Sequence, residues 1–599
     1  MAFDQINPFA VQTPEDIPAA DVVSLFVDVF GDFYNIPNPG HTFLNGPRGS
    51  GKSMMFRYLE PDCQQLIHSK PLPELPFFGV YVPIKNTEIK LTEFKRLSNK
   101  HADVVLSEHF LVIYVAVKFF TSLLKAEIAD DDGKSAASLR EYYERKFKDR
   151  LSWSGWPEKP PSLAHDASFA SILAALRDLF VSYYAIVTAY MRKLAFTSAP
   201  QPYNGPLLGY LDFMLPVIKD VRSLGFMPKG PVYLLVDDAD NLNRTQTRIL
   251  NGWVSSRTSD TVSIKISTQL AYKTYLTATS QIISSPHDFN EVNISAVYTS
   301  AKDKYLLRVE HIVKRRLEKY GVGHSPKEFF PEYAKQEEAI ASIKDSIREK
   351  AKVEKRGHRI SDDVTRYARP EYIKELQGSS KSGSTYKYAG FTQLVHISSG
   401  IVRYFLDAAS AMFGEMRAKN DGVPVIAIDP SVQDEIVREQ ARQFFFGEFD
   451  KIELEADSDE DLDRIKKLRN LIQALGGMFH SILISDSAER RVFSVALSDE
   501  SDDEVLNVFK LGVQYGYFHE SSIGNKEGTG RTRLFILSRR LAPLFTLDPT
   551  SFAGYKFATT AALRNAMERP KQFLGRLNNT PIDDILASPQ MDLFNESER

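Results

Sequence analysis

The 599 residues include one cysteine, Cys63. That count excludes an intramolecular disulfide framework and any multi-cysteine zinc site, and it suits a reducing compartment. The 12 histidines are scattered without metal-ligand spacing, and Cys63 lacks the sequence context of a nucleophile. Neither sign of charge dominates: 74 Lys+Arg stand against 77 Asp+Glu, a net charge of −3. The chain therefore does not grip nucleic acid by bulk charge, and any such contact is a local basic patch. The first residues, MAFDQINPFAVQTPEDIP, carry acids early and lack a basic start followed by an apolar run, so no secretory leader is visible. Long charge-free apolar runs are missing too. Lys118 interrupts the stretch 109–124, and Arg177 with Asp178 interrupts 169–191. Both read as buried helices of a soluble, cytoplasmic protein with no membrane partner.

Apolar residues at 43% and charged residues at 25% make an ordinary globular mixture. The length predicts about four structural units.

The most informative segment is HTFLNGPRGSGKSMMFRYL at 41–59. A short strand ending at Asn45 leads into Gly46-Pro47-Arg48-Gly49-Ser50-Gly51-Lys52-Ser53, and an amphipathic helix starts at Ser53. The eight residues satisfy G-x-x-x-x-G-K-[ST] in full, with the strand and helix that this phosphate-binding loop requires. Its glycines let successive backbone N–H groups turn toward phosphates. Lys52 is placed to reach the β- and γ-phosphates of ATP, and the Ser53 hydroxyl to ligate Mg²⁺.

A second, independent element is PVYLLVDDAD at 231–240, an apolar run ending in acids. It reads as a buried parallel strand whose carboxyl end faces a ligand crevice. Asp237 is the expected holder of the Mg²⁺ water shell. Asp238 is the expected base that polarises the attacking water, its short arm implying slow turnover. Asp240 reads as the cap of a helix over 242–254. A strand over 261–269 then ends in Ser267-Thr268-Gln269, where a polar side chain can sense the γ-phosphate. Thr268 is the first choice, with Ser267 and Gln269 as alternatives.

Order and residue types resemble the AAA+ branch of P-loop ATPases, and within it the origin-recognition-complex type initiators and their bacterial relatives. The resemblance rests on Asn7-Pro8-Phe9, GPRGSGKS at 46–53, VDDAD at 236–240, ISTQ at 266–269 and Ile397-Ser-Ser-Gly400-Ile-Val-Arg403. It implies an α/β core with a parallel sheet, a helical lid that supplies Arg403 to the γ-phosphate, and a C-terminal winged helix. It also makes Pro8 and Phe9 loose candidates for adenine contact. Two departures stand out. Between Ser53 and Asp237 most of 104–197 reads as inserted helices, with the strand 77–84 belonging to the sheet. The arginine finger expected between Gln269 and Leu307 is missing; Lys273 and Lys304 are weak substitutes, and Arg257, Arg308, Arg315 and Arg316 lie off the position. A missing finger suits signal-transduction ATPases of the STAND type.

The expected layout is a nucleotide core over 1–300 with its insertion at about 100–200, a lid with charged helical extras over 301–455, a winged helix over 456–550, and a helix and tail over 551–599. A flexible loop is expected near 376–388, and the acidic run 453–463 marks a linker. In the winged helix, Lys526, Arg531 and Arg533 flank a hairpin turn where they would meet DNA phosphates, with Arg539 and Arg540 just after it. The presumed recognition helix is acidic at Asp502, Asp503 and Glu504, which is poor for major-groove reading and leaves protein docking as the alternative. In the tail, Gln590-Met-Asp-Leu593-Phe594 resembles the pentapeptide by which bacterial replication proteins dock on the sliding clamp. Two functional readings follow. One is an ATP-driven, DNA-associated switch in replication, mobile-element or anti-phage defence processes. The other is a scaffold that binds nucleotide, hydrolyses little, and holds a partner protein or further copies of itself.

Overall fold

Five short runs form one parallel sheet in the computed structural model: β1 Thr42–Asn45, β2 Phe78–Pro83, β3 Val232–Asp237, β4 Val262–Thr268 and β5 Asn290–Asn293. Their spatial order is β2-β3-β4-β1-β5. The structure describes all residues except 1–5, 29–32, 85–99, 129–132, 156–161, 165, 195, 197–201, 257–259, 270–271, 295–301, 354–359, 379–384, 421–422, 486–489, 501, 525–530, 551–553, 578–585 and 587–599. The chain divides into two units, Gln12–Val297 and a second made of Met1–Val11 with Tyr298–Arg599.

In the first unit β1 to β4 are buried along their whole length. Strands β2 and β3 are accordingly near-continuous apolar runs, whereas β4 alternates Val-Ser-Ile-Lys-Ile-Ser and stays buried because its polar side chains find partners, Lys265 Nζ donating to the Asn38 and Gly40 carbonyls at 2.6 and 2.7 Å. The polar strand Asn-Glu-Val-Asn of β5 is an exposed edge and carries no apolar signal of its own. The register sets Asn45 beside Thr268, and Pro83 beside Asp237, so the polar strand ends gather at one edge of the sheet.

The insertion is built on two helices of 26 residues, Lys100–Lys125 and Phe169–Leu194. Both are long and apolar enough, by length and composition alone, to cross a membrane. They pack instead into the core beneath the sheet. Phe119 lies against Phe78 of β2 with ring centroids 6.0 Å apart, and Phe120 stacks on Phe180 at 5.8 Å. The interrupting charges sit where this burial tolerates them. Lys118 lies over the Tyr114 ring, and Arg177 pairs with Asp178 at 2.8 Å.

The second unit claims the N-terminal segment, which the sequence reading places in the core. Phe9 is fully buried between Phe329 and Phe330, with centroids 5.7 and 5.5 Å away. Asn7 donates to Ser410 Oγ at 2.9 Å, and Arg316 donates to the Pro8 carbonyl at 2.8 Å. Burial of an aromatic ring outweighs chain proximity here, and the Phe9 ring is committed to its neighbours. Helices Lys302–Lys319, Ala334–Val353, Ile360–Gly378, Phe391–Ile397, Val402–Lys419 and Pro430–Arg442 follow. The expected loop at 376–388 is only partly a loop. A helix runs to Gly378, and Tyr386 and Tyr388 are buried, the Tyr388 hydroxyl lying 3.0 and 2.9 Å from the Ala542 and Leu547 carbonyls.

Beyond the helix Glu448–Leu454 the long helix Asp459–Ile484 begins at Ser458, whose side chain accepts the Asp461 N–H. Strand β6 Val492–Leu497, helix Asp503–Gln514 and the hairpin of β7 Phe518–Gly524 with β8 Arg531–Leu537 come next. Strand β9 Gly554–Ala558 lies parallel to β6 in the order β7-β8-β6-β9, and the sequence reading anticipates neither β6 nor β9.

Candidate functional site

Strand β1 delivers the chain to the loop 46–51 at the polar edge of the sheet. Gly46 donates its N–H to the Thr268 carbonyl at 3.1 Å, which ties the start of the loop to β4. A Cβ at Gly46 would stand 2.2 Å from Ile294 Cγ1, so the close approach requires glycine. Gly49 and Gly51 hold φ of 83° and 99°, the left-handed region that lets the loop turn its amides inward. The helix Lys52–Tyr58 then starts one residue earlier than the sequence reading places it.

Lys52 is buried and brackets the loop, its Nζ donating to the Gly46 carbonyl at 2.8 Å and the Pro47 carbonyl at 3.0 Å. Burial lowers its pKa, opposed by the carboxylates of Asp237, Asp238 and Asp240 and reinforced by the Arg48 charge. Ser53 is half-buried at the first turn, and the exposed Arg48 stands at the loop's outer side. The buried Ser50 hydroxyl bonds no described residue. A buried hydroxyl without a partner, a cradle closed to a Cβ and a lysine inside the turn fit a phosphate group in this loop.

Asp237 closes β3 and is buried, with each carboxylate oxygen held by a hydroxyl. Tyr81 of β2 donates to Oδ2 at 2.8 Å, and Ser267 donates to Oδ1. Two neutral donors fix the carboxylate without neutralising it, as a ligand to a hydrated divalent cation requires. Asp238 follows at φ 53°, a conformation that non-glycine residues rarely adopt and that aspartate tolerates. Its N–H donates to Ser267 Oγ at 2.9 Å. Burial, with the Asp237 charge beside it, pushes the Asp238 carboxyl up to about 6, while Lys52 and Arg48 pull it down. A carboxyl poised near neutrality suits a proton acceptor.

Asp240 is not a helix cap. Asn243 caps the helix Arg244–Ser255, in a reciprocal capping box with Gln246. The Asp240 carboxylate instead accepts the Thr268 hydroxyl at 2.8 Å and the Gln269 N–H at 2.6 Å. Sequence reasoning also missed Tyr81, whose role depends on a partner in a neighbouring strand 156 residues away.

Arg403 belongs to the second unit, on the first turn of the helix Val402–Lys419. It is exposed and lies 3.7 Å from Asp407. Of the substitutes for an arginine finger, Lys273 donates to the Leu242 carbonyl, Arg316 is held by the N-terminal segment, and Arg257 lies outside the described residues.

The basic hairpin is smaller than the sequence suggests. Arg531 and Arg533 are exposed on β8, Arg533 lying 3.9 Å from Glu520, while Lys526 lies outside the described residues. Arg539 is buried and donates to the Pro549 carbonyl at 3.0 Å. Arg540 is sandwiched between the Tyr404 and Phe444 rings, 3.9 and 3.8 Å from their centroids. Both are internal fasteners rather than phosphate ligands. The acidic helix start is neutralised within its own unit, Glu504 by Lys467 at 2.5 Å and Asp502 by Arg564. The clamp-like residues Gln590, Leu593 and Phe594 lie outside the described residues.

A five-strand parallel sheet with a P-loop after β1, paired acids after β3 and polar residues at the tip of β4 defines the P-loop ATPases of AAA+ type. Within that class the chain belongs to the ORC-CDC6-like family, whose model matches residues 7–361 and 348–557. The crystal structure of Cdc6p from Pyrobaculum aerophilum aligns with 90% of this chain and 95% of its own, at 11% identity and a TM-score of 0.27. No curated protein matches the chain.

Proposed function

We propose that the chain is a cytoplasmic ATP-binding and ATP-hydrolysing switch that associates with duplex DNA. The observation that supports it best is the charge cluster at the sheet edge, where Lys52 lies within the field of Asp237 and Asp238. In this reading the amides of Gly46 to Ser53 cradle the phosphates, and Lys52 neutralises the β- and γ-phosphate charge. Ser53 and Asp237 hold Mg²⁺, which offsets phosphate charge when bound. Asp238 accepts the proton of the attacking water. Arg403, carried on the lid helix, reads the γ-phosphate, so that ATP and ADP favour different placements of the lid. Residues 12 to about 300 form the core, 301–455 the lid, 456–550 a winged-helix module and the remainder a tail.

Arg531, Arg533 and Lys526 supply the DNA contact, and the tail supplies docking on a sliding clamp. The setting is DNA replication, a mobile element or anti-phage defence. A second reading, a nucleotide-held scaffold for a partner protein or further copies of the chain, is favoured by the internal use of Arg539 and Arg540 and by the short arm of Asp238.

ATP turnover of the wild type and Lys52→Ala, with and without duplex DNA across salt concentrations, separates the two. The switch reading expects turnover that Lys52→Ala abolishes, and DNA binding that weakens steeply with salt. DNA that neither binds nor alters turnover at low salt leaves the scaffold reading.

A further inference from the structure

Three polar residues end β4, and their partners divide the work among them. Ser267 is committed to Asp237 and to the Asp238 N–H. Thr268 is fully buried, and its single hydroxyl proton faces Asp240 Oδ1 at 2.8 Å, with the Gln269 carbonyl next at 3.0 Å. A hydroxyl that spends its proton on a carboxylate has none left to give a phosphate. Gln269 differs from both. Its N–H donates to Asp240 Oδ2 at 2.6 Å, its side chain is half-buried, and its amide bonds no described residue.

Asp240 therefore grips the end of β4 at two points, one oxygen on Thr268 and the other on the Gln269 backbone. The register that pairs Asn45 with Thr268 sets Gln269 level with Gly46, the first residue of the phosphate loop. Gln269 directly follows the last residue of β4, two positions after Ser267, whose hydroxyl holds Asp237. A primary amide both donates and accepts, so one side chain can hold a phosphate oxygen and an attacking water together.

We infer that Gln269, rather than Thr268, meets the reacting end of the nucleotide, and that Asp240 is the positioning residue that aims it. The N–H of the Gln269 amide donates to a γ-phosphate oxygen, and its carbonyl accepts a proton of the water. This inference rests on the nucleotide reading given above.

The test compares Gln269→Ala, Asp240→Asn, Thr268→Val and the double variant Gln269→Ala/Asp240→Asn in the full chain, with thermal melting to confirm folding. Gln269→Ala is expected to lower turnover by about tenfold or more, with the Kd for ATP nearly unchanged. Asp240→Asn leaves one acceptor oxygen for two donors, the Thr268 hydroxyl and the Gln269 N–H, so the two-point grip is lost. It should slow the wild type yet cost nothing further in the Gln269→Ala background, because it acts through Gln269. Thr268→Val should lose less than Gln269→Ala. Full turnover in Gln269→Ala, a larger loss in Thr268→Val, or an Asp240→Asn effect that adds fully to Gln269→Ala overturns the inference. Failure of the wild type to bind ATP would instead defeat the nucleotide reading. Should the wild type bind without turning over, Gln269→Ala must reduce the preference for ATP over ADP, and an unaltered preference overturns the assignment.

Discussion

The Tyr81 hydroxyl on β2 donates a 2.8 Å hydrogen bond to the buried Asp237 carboxylate at the end of β3. With Ser267 on the other oxygen, it fixes the carboxylate in direction. Tyr81→Phe removes one donor to a buried carboxylate, a change expected to cost about 1.5–3 kcal/mol of stability. It should also weaken Mg²⁺-dependent nucleotide binding, since Asp237 keeps a single support. Urea unfolding and ATP titration with and without Mg²⁺ measure the two effects, and a variant unchanged in both would show that Tyr81 does not hold Asp237.

The Asp238 carboxyl, raised to about 6 mainly by burial and then by Asp237, gives the reaction a pH signature. Its raised pKa means that the folded state binds the proton more tightly than the unfolded chain. The stability from this group is complete below its ordinary value and is lost as pH rises through about 6. Activity runs the other way, because only the ionised form accepts a proton. Turnover should therefore climb with pH through about 6 and level off above it, while Asp238→Asn binds ATP, barely hydrolyses it, and is no less stable at neutral pH. A pH–rate profile of wild type, with melting of the variant, checks both; a flat profile across pH 5–8 would remove Asp238 as the base.

The arginines around the hairpin should separate cleanly into two kinds. Arg531→Ala/Arg533→Ala removes two exposed charges. It is expected to leave the melting temperature unchanged and to reduce the salt dependence of DNA binding by about two phosphate contacts. Arg540→Ala empties the space between Tyr404 and Phe444 and should cost about 2 kcal/mol of stability or more, and Arg540→Lys does not restore a planar stack. Salt titrations of a duplex and denaturant melts give the two readouts. A salt slope altered by Arg540→Ala alone would reverse the assignment.

Clamp docking is tested by pull-down of a bacterial sliding clamp with the intact chain and with Leu593→Ala/Phe594→Ala. An apolar pair entering a pocket should carry most of the affinity, so the variant should lose capture. Equal capture by both chains would dismiss the tail as the docking element.

The residues of the phosphate loop were legible in the sequence because their chemistry is local. Gly46 to Ser53 are consecutive, and the amides that face a phosphate come from one turn of backbone. Strand β3 was legible for a related reason, since burial on both faces leaves a run of apolar residues that ends at its acids. Strand β5 was not, because an exposed edge imposes no apolar pattern. The uses of Asp240, Tyr81, Arg539 and Arg540 were invisible for a different reason. Each is decided by a partner brought close only by sheet order or by packing, and a side chain alone does not say whether it will cap a helix, support a carboxylate or face a phosphate. The sequence by itself determined the class of chemistry through short-range backbone and charge patterns. Tertiary structure decided which of several equivalent polar groups remain available for it, because a hydrogen-bonding group already satisfied inside the fold has little left to offer a ligand.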